Sequence, residues 1–300
     1  MNKVVIFTDS TCDLSEELIK QYDIKVIPLH VVYEDKVYQD GIDINALDLY
    51  KKVEETGVLP KTAACSPAEY KEIFDKYINE GYDVFYTGIS SKMSSNFENV
   101  VALANEYPEG RLVPCDSGNL STGIGLLVIK ACQFRDEGLS ATEIAKKISQ
   151  IVPHVKVQFV IKKLDYLHKG GRCTSTSKVF GTLLRIHPMI VVRDGRMVVG
   201  KKIIGKMSKS VKVMTDIFLK YFDQIEKDMI FVTDSSLAEE FQDQIISRLK
   251  EEGVYDKIGH VYTTHAGCVV SSHCGPSTIG ILYIMKHDIH DEDLDADAFN

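Results

Sequence analysis

The residues best suited to chemistry form a run of hydroxyl side chains. Ser90, Ser91, Ser94 and Ser95 follow the apolar stretch Val84–Ile89 and precede a helical pattern that starts near Asn96. A strand whose carboxyl end feeds a helix N-terminus is where open α/β sheets bind ligands. The unsatisfied N–H groups and the dipole at that terminus favour an anion. The serine hydroxyls, with Asn96, add neutral donors. The alternative is plain N-capping, which needs only one of these residues. A second hydroxyl, Thr62, lies in the loop before the helical pattern that begins at Pro67. If the sheet is doubly wound, both loops open at one edge. Neutral donors suit a single carboxylate better than a triphosphate, which calls for Mg²⁺ and a lysine.

Two further side chains are candidates. His273 supplies a third donor and, as an imidazolium, would neutralise a carboxylate. A satisfied structural histidine is the alternative. Arg172 follows the Gly170-Gly171 pair. It is read as a surface charge, an interlobe ion pair or a ligand contact.

Other patterns fail on inspection. Gly200–Lys206 has P-loop spacing, but Met207 stands where a Mg²⁺-binding hydroxyl belongs, and the segment follows a hairpin rather than opening a helix. Gly123-Ile124-Gly125 starts like a dinucleotide fingerprint and ends in the bulky Val128. Ser175-Thr176-Ser177-Lys178 has a Ser-x-x-Lys spacing without companion motifs. His265, Cys268, His273 and Cys274 cluster, yet His273 and Cys274 would point apart on a strand, so a tight turn beside a pocket is preferred to a metal site. No cofactor is indicated.

The elements that must position these groups alternate in the first half. Val4–Thr8, Lys25–Leu29, Val84–Ile89 and Leu112–Cys115 read as strands, separated by helical patterns at 47–56, 67–79, 96–107 and 126–134. That order implies a largely parallel sheet. Near Pro153 the pattern changes. Asp194-Gly195 between two apolar runs signals a hairpin, so the second half is expected to contain antiparallel strands. Residues 176–184 are expected to be helical, with an apolar face at Val179, Phe180, Leu183 and Leu184 that continues to Ile186. The expected fold class is α/β in two lobes, residues 1–155 and 156–286, with an acidic tail at 287–300. The echo between Phe7–Thr11 and Val232–Ser236 is read as shared capping chemistry.

Composition narrows the function. The chain has 300 residues and a formal net charge of −8, which disfavours nucleic-acid and anionic-membrane partners. Seven scattered cysteines with no Cys-x-x-Cys pair fit a reducing, cytoplasmic setting. No apolar run approaches the ~18 residues of a membrane span.

Several motifs occur together in one order: Thr8-Asp9-Ser10-Thr11 with Asp13-Leu14, Val26-Ile27-Pro28-Leu29, Ile89-Ser90-Ser91-Lys92-Met93-Ser94, and Asp116-Ser117. Tyr166–Arg172, Ile186-His187-Pro188 and His273-Cys274-Gly275-Pro276 follow. In these the sequence resembles the DegV family of bacterial fatty-acid-binding proteins over about residues 3–285. The resemblance implies an N-terminal parallel α/β domain and a C-terminal α/β domain with a mixed sheet. It implies a long-chain fatty acid whose carboxylate is held by Thr62 and Ser94 with His273 nearby, its acyl chain buried in a tunnel. It further implies a monomer that catalyses nothing itself and presents its ligand to a separate fatty acid kinase, for acyl phosphate formation in phospholipid synthesis. The sequence departs from the family pattern at Ala63-Ala64-Cys65, at Ser95-Asn96 and at His187. It also departs at Ile204, where an arginine associated with kinase engagement is expected; Lys202 and Lys206 are the nearby cations. An enzyme using the same interlobe cleft, a phosphotransferase or hydrolase acting on a small ligand, is the alternative reading.

Overall fold

The computed structural model describes residues 2–174 and 186–287. The expected helix at 176–184, the Ser175-x-x-Lys178 tetrapeptide and the acidic tail beyond His287 lie outside the described residues.

Four parallel strands form the first sheet, in the order β2 (Lys25–Ile27), β1 (Val4–Asp9), β6 (Asp83–Tyr86), β7 (Leu112–Pro114). The helices that accompany them are α1 (Glu16–Gln21), α2 (Ala46–Thr56), α3 (Pro67–Asn79), α4 (Asn96–Ala104), α5 (Thr122–Asp136) and α6 (Ala141–Ile151). Their starts follow local chemistry. Ser66 and Glu69 form a reciprocal capping box ahead of α3, with Pro67 in its first turn, and Ser140 and Glu143 do the same for α6.

A small antiparallel sheet in this half departs from the sequence reading. It runs β4 (Lys36–Gln39), β3 (His30–Tyr33), β5 (Lys61–Ala63). The run at Lys25–Leu29 stops at Ile27, and the chain re-pairs two residues after Pro28. The β3–β4 turn is Glu34-Asp35, with Glu34 at φ 51° and no glycine, so the usual hairpin signature is missing. Thr62 therefore sits on a strand rather than in a loop.

The second half carries a seven-stranded mixed sheet, ordered β13 (His260–His265), β12 (Met229–Asp234), β14 (Ile279–Ile284), β8 (Val155–Val160), β10 (Met189–Arg193), β11 (Arg196–Lys201), β9 (Cys173–Thr174). The β10–β11 hairpin turns at Asp194 and Gly195, both with positive φ, as a two-residue turn of the right twist requires. Among the described residues the helices of this half are α7 (Leu164–Gly170), α8 (Met207–Lys220), α9 (Glu239–Glu251) and α10 (Cys268–Cys274). The P-loop-like segment does run into a helix, α8, contrary to expectation. Its first residue is nevertheless the buried Met207, which offers no hydroxyl. Among the described residues, no helix is long and apolar enough to cross a membrane.

Helix α5 joins the two sheets. It is buried almost all round from Thr122 to Cys132, packing on β1 and α6 on one side and on β8, β12 and β14 on the other. One hydrophobic cluster accordingly runs from Ile6 and Phe85 through Ile124 and Leu127 to Val157, Phe231 and Leu282. Thr122 and Thr233 hydroxyls meet at 2.6 Å across the junction. The glycines of the fingerprint-like motif serve this packing. A Cβ on Gly123 would lie 2.6 Å from Val157 Cγ2. Gly123→Ala is therefore expected to cost about 1–3 kcal/mol of stability through overpacking, read as a lower urea midpoint with an unchanged slope. The echo at Asp9 and Asp234 is turn chemistry: Asp9 accepts from Thr11 N, and Asp234 from Ser236 N.

Candidate functional site

A cavity of about 190 Å³ opens between β5, the loop before α4, the α7–β9 corner and α10. Thr62, Ser94, Ser95, Asn96, Arg172 and His273 all line it, so the fold brings these six side chains together, whereas Ser90 and Ser91 do not line it. Leu29, Ile89, Met93, Leu120, Met197, Val269 and Val270 supply apolar wall. A second cavity of about 30 Å³ shares Leu120, Val270 and Cys274 with the first and continues along Val157, Phe159 and Leu282. The shared residues give the combined space a direction, from the hydroxyl end toward the mixed sheet.

The serine run divides into two roles. Ser90 is buried and donates to the carbonyl of Gly195 at 2.8 Å, tying the loop to the β10–β11 turn. Ser91 N is held by Asp116 Oδ1. Ser94 and Ser95 remain for the cavity. Ser95 precedes α4 but makes no side-chain cap hydrogen bond, so capping does not account for it. Ser94 Oγ accepts from Asn96 Nδ2 at 2.9 Å, which leaves its own O–H to donate elsewhere.

Asn96 plays a different part from the one expected. It is fully buried, and its Oδ1 accepts from Tyr70 O–H at 2.9 Å and from Cys65 N at 3.1 Å. Those two donors fix the amide so that Nδ2 faces Ser94. Asn96 positions Ser94 and the chain after Thr62, rather than offering itself to a ligand.

His273 lies on α10, not on or after a strand as its spacing suggested. Its Nε2 is 2.9 Å from Thr62 Oγ1, and its Nδ1 is buried without a hydrogen-bond partner. The backbone of α7 presses on that nitrogen so closely that a Cβ on Gly170 would be 2.4 Å from it. Burial, with the charge of Arg172 in second place, lowers the imidazole pKa to about 4. The ring is therefore neutral at pH 7, which corrects the expectation of an imidazolium. An N–H at the enclosed Nδ1 would be left unpaired at a cost of about 1–3 kcal/mol. We accordingly place the proton on Nε2, donating to Thr62, whose hydroxyl hydrogen then points away. The cation at the cavity is Arg172. It is exposed, and its guanidinium folds back to the Gly170 carbonyl at 2.8 Å.

This pKa has a measurable consequence. The unfolded chain binds a proton at His273 near pH 6.5, where the folded chain does not. Stability from this group is therefore whole above pH 6.5 and is lost as pH falls toward 4, by about 3 kcal/mol at 1.36 kcal/mol per unit. Asp9, Asp13 and Asp40 have carboxyl pKa values raised by burial, so they act in the opposite sense. The difference between wild type and His273→Gln isolates the histidine. It should favour wild type near neutrality and shrink by about 3 kcal/mol toward pH 4; parallel profiles would contradict a neutral buried ring.

Residues distant in sequence place α10. Asp40, just after β4, accepts from Cys268 N at 2.6 Å, from Val269 N at 3.2 Å and from Ser10 Oγ at 2.9 Å. Asp13 accepts from Gly267 N at 2.8 Å and from Ser121 Oγ at 2.5 Å. Both carboxylates come from the first half and hold a helix of the second. Sequence reasoning missed them, because no spacing rule links positions more than 220 residues apart. The His265, Cys268, His273 and Cys274 group does not converge. His265 pairs with Asp234 at 2.7 Å, the Cys268 thiol with Ile44 O at 3.3 Å, and His273 with Thr62.

Fold and site together define a two-lobed α/β protein with a pocket of mixed lining that carries neutral hydroxyl donors at one end. The chain belongs to the DegV family: the family model described as "Uncharacterised protein, DegV family" matches residues 3–286. A DegV domain-containing protein of Clostridium acetobutylicum is 33% identical over 287 residues, covering 96% of this chain and all of that one. Among solved structures, a DegV family protein from Thermus thermophilus superposes with a TM-score of 0.85 at 24% identity, covering 95% of this chain and 100% of the other, which bears on fold alone. A fatty acid binding DegV family protein from Streptococcus agalactiae gives 0.84 at 26% identity, covering 96% and 100%.

Proposed function

We propose that the protein binds a long-chain fatty acid. The carboxylate accepts from Thr62 and Ser94 at the hydroxyl end of the cavity, and the acyl chain runs toward Leu120, Val270 and Cys274. The observation that carries the reading is the pair of hydroxyls braced from behind, Thr62 by His273 and Ser94 by Asn96, at one end of a space whose remaining wall is mainly apolar. Each brace occupies a hydroxyl oxygen and leaves its hydrogen for an anion. Arg172 adds a screened positive charge at the mouth. The fatty-acid-binding relative from Streptococcus agalactiae supports the same ligand class.

The empty space of the first cavity is smaller than the ~300–1,000 Å³ usual for ligand pockets. A long chain therefore has to part the shared wall and enter the second cavity. Each buried methylene contributes roughly 0.8 kcal/mol, so a long chain can offset that rearrangement. The protein acts, on this reading, as a binding subunit rather than a catalyst, a monomer of the cytoplasm with lobes of residues 1–155 and 156–286. A separate fatty acid kinase receives the ligand. Ile204, 57% exposed, stands where the family pattern has an arginine associated with kinase engagement, so on this reading that contact falls to Lys202 and Lys206.

Native mass spectrometry of the protein purified from cells, followed by solvent extraction and lipid analysis, tests the ligand class. One fatty acid per chain is expected. Protein that emerges empty and takes up no added fatty acid would overturn the reading.

A further inference from the structure

Away from the hydroxyl end of the cavity, three side chains of different donor chemistry converge. His30 opens β3, Cys65 lies between β5 and α3, and Glu69 is in the first turn of α3. The register that pairs His30 with Ala63 brings Cys65, two residues on, beside the imidazole. One nitrogen, one sulfur and one carboxylate oxygen fall within 4.8 Å of one another. A tetrahedral metal with bonds of about 2.0–2.3 Å holds its donor atoms about 3–4 Å apart. To close to that spacing the Cys65 thiol has to leave the Pro28 carbonyl, which it meets at 3.4 Å.

The surroundings hold these donors in place. Glu69 Oε2 takes both N and Oγ of Ser66 at 2.7 Å, which leaves Oε1 facing His30 Nε2 at 2.8 Å. Cys65 is pinned on both sides of its main chain, N by Asn96 Oδ1 and O by Asn99 Nδ2 at 2.8 Å. The thiol is buried, whereas the Glu69 side chain is 45% exposed, so one side of the cluster is enclosed and the other open to an entering ion. We propose that His30, Cys65 and Glu69 form a site for a divalent transition metal of zinc type, with water at a fourth position. Imidazole, thiolate and carboxylate together suit such a borderline-soft ion. Thiolate and carboxylate cancel its two charges. Binding releases the thiol proton to solvent and moves the ring proton from Nε2 to Nδ1, which is buried without a hydrogen-bond partner, so the metal has to offset the cost of an unpaired N–H there.

The site has a mechanical connection to the cavity. Only Ala63 and Ala64, both cavity-lining, separate Cys65 from Thr62. An ion clamping Cys65 to β3 and α3 fixes the end of β5 and, with it, the Thr62 hydroxyl. The site is defined by its own geometry and is assayed with metal alone, so its failure and that of the fatty-acid reading are separable.

The test uses the full chain stripped with chelator and titrated with Zn²⁺ against a chromophoric competitor. Wild type should bind one Zn²⁺ that Cys65→Ser and His30→Gln each weaken at least 10-fold. Titration with Co²⁺ should give a thiolate-to-cobalt charge-transfer band that disappears in Cys65→Ser. Zinc affinity or a cobalt band unchanged in both variants, as binding elsewhere on the chain would give, overturns the proposal. So does wild-type protein that binds neither ion. Cys65→Ala, which keeps a small apolar group in the buried position, replaces Cys65→Ser if the serine variant does not fold.

Discussion

Replacing Thr62 and Ser94 together by alanine is expected to lower fatty-acid affinity on the order of 100-fold or more. A hydrogen bond to a charged group contributes roughly 1.5–3 kcal/mol, so losing two removes about 3–6 kcal/mol. The folded state should survive. Thr62→Ala leaves His273 Nε2 unpaired and Ser94→Ala deprives Asn96 of one acceptor. Those losses cost about 1–3 kcal/mol each against a stability of about 5–15. Ser95→Ala is the informative control. That residue is exposed and makes no cap hydrogen bond, so its removal should change affinity less than about threefold. Displacement of a fluorescent fatty acid measures both variants against wild type, and a double variant that binds like wild type would remove the hydroxyl pair from the mechanism.

Asp40→Ala should be the most damaging single change outside the cavity. It strands the N–H groups of Cys268 and Val269 and the hydroxyl of Ser10, all in or beside buried surroundings. Loss of a helix cap costs about 0.5–2 kcal/mol, and each buried donor left unpaired about 1–3. A total near 3 kcal/mol is expected, with a raised dissociation constant for fatty acid, because α10 carries Val269, Val270, His273 and Cys274. Asp40→Asn keeps the shape but turns an amide donor toward one of those donors, so it should fall between wild type and alanine. Urea unfolding gives the stability change, and ligand displacement in the folded range gives the affinity change. Normal affinity in a destabilised Asp40→Ala protein would show that α10 is placed without this carboxylate.

The contrast between Thr62 and Asp40 shows what sequence patterns carry. Thr62 and Ser94 stand at element boundaries whose strand and helix periods are local, so their neighbourhood could be inferred. The parallel sheet and the β10–β11 turn were legible for the same reason: alternating apolar runs, and an Asp-Gly pair that tolerates positive φ. The β3–β4 hairpin was hidden because Glu34 adopts positive φ without glycine. The strand context assumed for His273 failed because Cys268–Cys274 is a short helix of Val, Ser and Cys, residues with little helical preference. Its burial and its Asp40 cap stabilise it, and both are tertiary. The neutral state of His273 likewise follows from Gly170 and the surrounding burial, which no local spacing encodes.

The most direct measurement is a crystal structure with a saturating long-chain fatty acid. It should show the carboxylate within about 3 Å of both Thr62 Oγ1 and Ser94 Oγ, and the chain passing Leu120 and Val270 toward Phe159. A ligand whose carboxylate faces solvent or the mixed sheet, with methylenes against the two hydroxyls, would contradict the account.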